Sequence, residues 1–264
     1  MNTLEYRNSA FERILEVMDK LREKCPWDKI QTNESIRTLT IEEVYELSEA
    51  VMNNNPEEIK KELGDLFLHI IFYSKIASEK NQFDIADVME ALEKKLIYRH
   101  PHVFGENNAD TPEQVSKNWE ELKLKENKEK TEKSGVLSGI PKNMPAMIKA
   151  LRMQQKARGV GFDWDYKEQV WDKVQEEITE LQHEIKTMNK EKAEKEFGDI
   201  FFALINAARL YDINPENALE LTNRKFESRF NYLEENTLKI GKSLKDMTLE
   251  EMEKLWNEAK KFEN

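Results

Sequence analysis

The chain has 264 residues, enough for one large domain or two of ordinary size, and its 52 acidic and 41 basic side chains leave a net charge of −11. That balance argues against a broad nucleic-acid or anionic-membrane surface, since both need a basic patch. Charged residues make up 35% and apolar ones 39%, with only 8 Gly and 7 Pro, so long helices and few tight turns are expected.

The first predicted element is a surface helix in "MNTLEYRNSAFERILEVMDKL", where acids and helically spaced apolar residues argue against a signal peptide. A loop "CPWDK" follows. It holds the only cysteine, Cys25, which can form no internal disulfide and points to a reducing, cytoplasmic compartment. An acidic helix "TIEEVYELSEA" (40–50), a turn "NNNPEE" and an apolar helix "KKELGDLFLHIIFYSK" (60–75) then form a hairpin, with Pro56 near the helix start. From Leu66 to Tyr73 only His69 is not apolar, so this helix is expected to be buried all round, with His69 as a satisfied interior histidine. The next helix carries Lys95 and Arg99 at i, i+4, and Trp119 lies beyond it in "SKNWEELK". No run approaches the ~18 apolar residues of a membrane span.

The pattern then repeats. Glu43, Glu46, Glu62 and Asp65 recur 134 positions on as Glu177, Glu180, Glu196 and Asp199. Lys95 and Arg99 pair with Lys225 and Arg229 at an offset of 130, and Trp119 pairs with Trp256 at 137. Small drifts of this kind are what loop-length changes produce. The predicted architecture is all-α: tandem helical bundles at 1–125 and 140–264, joined by a charged linker at 126–139.

In each copy a Glu-x-x-Glu pair on one helix and a Glu-x-x-Asp pair on the next occupy facing sides of a hairpin. A single pair of this kind in so charged a chain is ordinarily a solvated face. Two features argue otherwise: the second pair leads into an apolar helix, and the whole set occurs twice. Burying an unpaired ion costs several kcal/mol, a large part of a domain's net stability of about 5–15 kcal/mol. Protons or cations must therefore compensate, and carboxylates alone, without a Cys or His cluster, favour Mg²⁺, with Mn²⁺ as the alternative. A di-iron bundle would need two Glu-x-x-His motifs, and only Glu180-x-x-His183 is present. No Gly-rich phosphate loop and no His-Asp dipeptide occur.

"EEVYE" followed by "ELGD", and "EEITE" followed by "EFGD", resemble the EExxE…ExxD signature of the MazG nucleoside triphosphate pyrophosphohydrolases; "CPWDK", "RHPHVFG" and the duplicated layout extend the resemblance over nearly the whole chain. It implies an all-α NTP pyrophosphatase fold, Mg²⁺ dependence, a homodimer, and hydrolysis of NTPs or dNTPs to NMP and pyrophosphate. Carried over, the metal ligands of copy two are Glu177, Glu180, Glu196 and Asp199. Its phosphate and nucleotide contacts are Lys173, Lys192, Lys225, Arg229 and Trp256, the last able to stack on a base. Glu176 or Glu177 is the candidate to accept a proton from the attacking water, while Lys225 and Arg229 offset charge on the leaving pyrophosphate. Copy one keeps Glu43, Glu46, Glu62, Asp65, Lys95, Arg99 and Trp119, but has Leu39 and Glu58 where copy two has Lys173 and Lys192. Copy two is thus expected to be the main triphosphate site. The competing class is a non-catalytic helical module for dimerisation or nucleotide sensing.

Overall fold

The computed structural model describes residues 2–105, 108–112, 114–115, 118–119, 122–123, 125–126 and 135–262, and among them there is no strand. The chain divides into two compact units, Met1–Asp110 and Thr111–Asn264. Trp119, which the repeat pairs with copy one, falls in the second unit. Of the stretch expected to link the copies, 127–134 lies outside the described residues.

The first unit holds α1 (Leu4–Lys24), α2 (Pro26–Ile30), α3 (Asn33–Met52), α4 (Pro56–Glu79), α5 (Ile85–Arg99) and α6 (Pro101–Phe104). The sequence around "CPWDK" reads as a loop, but Pro26 at the first helical position supplies a ready-made helical φ and the segment forms α2. Thr32 and Ser35 cap α3 reciprocally, which fixes where the acidic helix begins. Asn55 caps α4 through Glu57 N–H and Glu58 N–H. Between the two helices Asn54 takes a φ of 50°, a left-handed conformation that asparagine tolerates, and the chain reverses in three residues. α3 and α4 therefore pack as an antiparallel pair, and α1 lies against α4. The core is Met18, Ile36, Ile71, Phe72 and Ile76, all at most 2% exposed. Arg22 closes its edge: the guanidinium pairs with Glu79, lies 5.5 Å from the Phe72 ring, and donates to the Gln31 carbonyl at 3.2 Å.

The second unit holds α7 (Ala146–Arg158), α8 (Val170–Lys186), α9 (Lys190–Leu210), α10 (Pro215–Lys239) and α11 (Leu249–Ala259). α8 and α9 repeat the hairpin, and their turn again has a left-handed residue at the equivalent place, here Met188 with a φ of 56°. α9 packs also on α7, and α10 on α11. Thr237, 1% exposed, is satisfied by the Leu233 carbonyl at 2.7 Å and the Met247 sulfur at 2.9 Å.

One expectation needs correcting. Neither apolar helix is buried all round within the chain. α4 exposes Leu63, Phe67 and Ile70, and α9 exposes the equivalent Phe197, Phe201 and Leu204. These positions fall at i, i+4 and i+7, a single stripe on the side away from α4's and α9's own core contacts. Continuous hydrophobicity therefore reports two packing faces, of which each unit covers one.

Candidate functional site

Each hairpin converges three carboxylates. Glu43 on α3 with Glu62 and Asp65 on α4, and Glu177 on α8 with Glu196 and Asp199 on α9, each bring one oxygen per residue to within 4.8 Å of the other two. The cause is local: i, i+3 acids on α4 and α9 lie beside one another, and the tight turn sets the partner acid opposite them. Glu46 and Glu180, expected as fourth members, stand exposed outside both triads. Glu180 nevertheless lies within side-chain reach of Glu196. The charges of Glu46 and Glu180 still act on the triads.

Glu62 is 3% exposed, and its Oε2 is buried with no hydrogen-bond partner, while Oε1 accepts from Lys61 at 2.8 Å. Burial first, then the charges of Asp65, Glu46 and Glu62, push the Glu43 carboxyl above its ordinary pKa, with Lys61 opposing them. In the second unit Lys173 does the compensating: its Nζ is 2.8 Å from Glu177 Oε1 and 2.9 Å from Glu176 Oε1. Hydrogen bonds to Glu177 and Glu176 raise the lysine's pKa, keeping it cationic. Glu196 has no such partner. Burial, and then Glu180, Asp199 and Glu177, hold its carboxyl above the usual range.

Three close carboxylates, one with an orphaned buried oxygen, are a hard-oxygen donor set short of positive charge. They fit a divalent cation. No Cys or His joins either triad among the described residues. His69 is buried as expected, yet its Nδ1 lacks a hydrogen-bond partner, and burial lowers its pKa despite nearby Asp65. It is an interior histidine, but not a satisfied one.

The other expected residues lie on α9, α10 and α11 in the second unit and, for copy one, on α5 and at Trp119. Lys192 sits in the first turn of α9 with Nζ 3.8 Å from Glu184 Oε1. Lys225 is exposed on α10, and Arg229, half-buried on the same helix, has its guanidinium carbon 5.3 Å from the Trp256 ring on α11. Trp256 also meets Phe226 at 5.1 Å. In the first unit Lys95 is exposed and Arg99 half-buried on α5. Lys123 stacks over Trp119 at 3.4 Å.

Reading the motifs alone misses a cavity of about 750 Å³ in the second unit, into whose wall Lys173, Glu177 and Asp199 extend from the triad. Its far walls come from α7 and the "GFDWD" segment. The available signal was the loss of bulk on α9, where Ala203 and Asn206 replace His69 and Phe72 of α4 at the 134 offset.

Comparison with known proteins agrees with this geometry. The model of the MazG nucleotide pyrophosphohydrolase domain matches residues 31–104 and again 167–233, more than half of the chain and one stretch around each triad. The chain belongs to the MazG family. It is 41% identical over 252 residues to the nucleoside triphosphate pyrophosphohydrolase/pyrophosphatase MazG of Thermotoga maritima, covering 95% of both chains. It is 38% identical over 260 residues to the nucleoside triphosphate pyrophosphohydrolase of Escherichia coli K12, covering 97% of this chain and 98% of that one. An uncharacterized Bacillus subtilis protein, YabN, is 43% identical over 246 residues, which span 90% of this MazG chain but 49% of YabN.

Proposed function

We infer that this MazG chain hydrolyses nucleoside triphosphates to nucleoside monophosphate and pyrophosphate, and that the second unit carries the main site. The observation behind this reading is the triad Glu177, Glu196 and Asp199 with Lys173 against it. Mg²⁺ is the cation we assign, with Mn²⁺ as substitute, because all the donors are hard oxygens. When bound by these carboxylates it would polarise phosphate oxygens and favour ionisation of a water.

The chain's own residues supply the rest. Lys173 already lies on Glu176 and Glu177, so an arriving triphosphate offers it stronger acceptors and releases one carboxylate to take a proton from water. Exposed Glu176 is the freer of the two, because buried Glu177 belongs to the triad. Lys190 and Lys192 occupy the first turn of α9. Cations are unfavourable at a helix N-terminus, and an anion held between them and the helix end removes that penalty. Lys225 and Arg229 oppose charge on the departing pyrophosphate, with Trp256, itself packed on Phe226, orienting the Arg229 guanidinium.

In the first unit Leu39 and Glu58 stand where the second has Lys173 and Lys192. Its triad can hold a cation but offers less to a triphosphate. Fourth-position Glu46 and Glu180 complete each ligand set through water or a small rotation. The matched apolar stripes of α4 and α9 support a homodimer in which each stripe is covered by a second copy. Among the described residues no helix is long and apolar enough to cross a membrane. With one cysteine and an acidic surface we place the protein in the cytoplasm, without a nucleic-acid partner.

Product analysis tests the reaction. Mixed with ATP, dCTP and dUTP, the protein should release NMP and pyrophosphate only when Mg²⁺ is present. Release of NDP and phosphate would remove the chemistry while leaving the metal site. Absence of turnover with any metal would favour a nucleotide-sensing module instead.

A further inference from the structure

The second triad already contains a cation of its own, the ammonium of Lys173. Among the described residues it is the only cation in ion-pair contact with an acid of that triad. Its Nζ stands 2.8 Å from Glu177 Oε1 and 2.9 Å from Glu176 Oε1, so one ammonium spans two carboxylates. The i, i+4 step from Lys173 to Glu177 along α8 makes the contact local and readily formed. The other lysines nearby in sequence are engaged elsewhere: Lys192 with Glu184, and Lys195 with Glu191.

This pairing conflicts with metal binding. Glu177 is 6% exposed, and it is also one of the three carboxylates that converge. A divalent cation at the triad and an ammonium on Glu177 share one carboxylate. They are like charges in a partly buried place, where water and salt screen them weakly. Metal binding to the nucleotide-free site therefore works against Lys173.

The lysine has somewhere to go. Its side chain is 39% exposed, and it lines the cavity of about 750 Å³ together with Glu177 and Asp199. A triphosphate brought to the triad supplies anionic oxygens that the ammonium can take in place of Glu177. Lys173 then stays paired while Glu177 is freed.

The first unit lacks this arrangement. At the place of Lys173 it has Leu39, half-buried on α3 four residues before Glu43. Its lysine is Lys61, beside Glu62 on α4, at 2.8 Å from that one carboxylate and with a side chain 60% exposed. A solvated lysine with one partner competes less than a lysine spanning two.

We propose that Lys173 is a resident counter-cation that opposes divalent-metal loading of the nucleotide-free second triad and yields when a triphosphate draws it away, so that metal and triphosphate bind the second unit cooperatively. The coupling to triphosphate rests on the triphosphatase reading above, whereas the competition with metal does not. Linkage makes the coupling reciprocal: the factor by which triphosphate tightens metal binding is the factor by which metal tightens triphosphate binding. The first triad, with Leu39, loads metal without that dependence.

The test is Mn²⁺ titration of the full chain, read from the electron paramagnetic resonance of free Mn²⁺, with one triad silenced at a time. In a Glu43→Gln, Asp65→Asn background the titration reports the second triad. There Lys173→Met should tighten nucleotide-free Mn²⁺ binding by about tenfold, within the usual range for coupled sites, while Lys173→Arg, which keeps the charge, stays within about twofold. Saturating α,β-methylene ATP, whose α–β bridge is not hydrolysed, should tighten Mn²⁺ binding by about tenfold where Lys173 is kept and by about twofold or less in Lys173→Met. Mn²⁺ held by free nucleotide is subtracted with a protein-free control. In a Glu177→Gln, Asp199→Asn background, Leu39→Lys should weaken Mn²⁺ binding at the first triad by about fivefold. Equal or weaker nucleotide-free Mn²⁺ affinity in folded Lys173→Met would overturn the competition, and an equal nucleotide effect in both proteins would overturn the coupling. Wild-type protein that neither binds nor hydrolyses any triphosphate would remove the triphosphatase reading instead, and the nucleotide-free titration would still decide whether Lys173 opposes the metal. Should Lys173→Met fail to fold by circular dichroism, Lys173→Gln and Leu39→Lys carry the same comparison.

Discussion

The two acid triads use the same residue types at the same spacing, yet each is neutralised from a different side. In the first unit the lysine is Lys61, next to Glu62 on α4, and it makes no direct ion pair with Glu43 on α3. In the second the lysine is Lys173 on α8, paired with Glu177, and it leaves the acids of α9, Glu196 among them, without that pairing. Lys195, which matches Lys61 in the repeat, lies 3.7 Å from exposed Glu191 instead. Burial and the neighbouring acids raise the pKa of Glu43 in the first unit and of Glu196 in the second, on opposite helices of the two hairpins. A duplicated ligand set thus need not be a duplicated site: the position of one lysine decides which oxygen a ligand finds ready, and the residues behind the triad decide whether a cavity adjoins it.

The largest effect should come from removing one acid per unit. Glu177→Ala is expected to lower kcat/KM by about 100-fold or more, and Glu43→Ala by no more than about twofold, if catalysis depends on transition-state charge held at the second triad. Steady-state kinetics on both variants checks this, and the reverse pattern would exchange the units' roles. The interiors should differ nearly as sharply in stability. Phe72→Ala removes a ring from a filled core and should cost about 3–5 kcal/mol in urea unfolding, whereas Asn206→Ala, at a cavity wall, should cost about 1 kcal/mol. Equal losses would mean that the cavity is not a designed difference. A smaller change is expected from Lys192→Glu, which installs the first unit's charge: KM for ATP should rise about tenfold with kcat less affected.

The smallest effect concerns protons. Glu43 and Glu196 bind protons more tightly in the folded chain than an ordinary glutamate does, so folding takes up protons at these sites. Stability of the metal-free protein should therefore fall as pH rises through their elevated pKa values, and be greatest below them. Glu43→Gln and Glu196→Gln should each raise the metal-free Tm at neutral pH, and Mg²⁺ should stabilise the wild type more than either variant. A lower Tm for both, with intact secondary structure, would show that these acids are already compensated.

Much of the fold was legible because it is local. Charge-rich helices, Pro56 at a helix start and a hairpin closed by three residues follow from propensity and capping, and the 134-residue offset revealed the duplication. The triad was legible nearly in full. Glu46 and Glu180 were not separable from it, since Glu-x-x-Glu spacing places two acids on one side of a helix without saying which reaches across. Exposure of Phe67 and Phe201 was equally hidden, because apolar runs state how much surface must be covered and not by which chain.

The sequence by itself determined an all-α chain in two copies, the acids that converge in each, and the loss of Lys173 and Lys192 equivalents from copy one. These depend on helical periodicity and short turns, which act over a few residues. Only the tertiary structure decided that Lys61 and Lys173 neutralise opposite walls of the two triads, that each apolar helix leaves one stripe exposed, and that a cavity opens beside the second triad. Those outcomes depend on how neighbouring helices pack, because spacing along one helix sets neither which side chain reaches across a hairpin nor what space is left behind it.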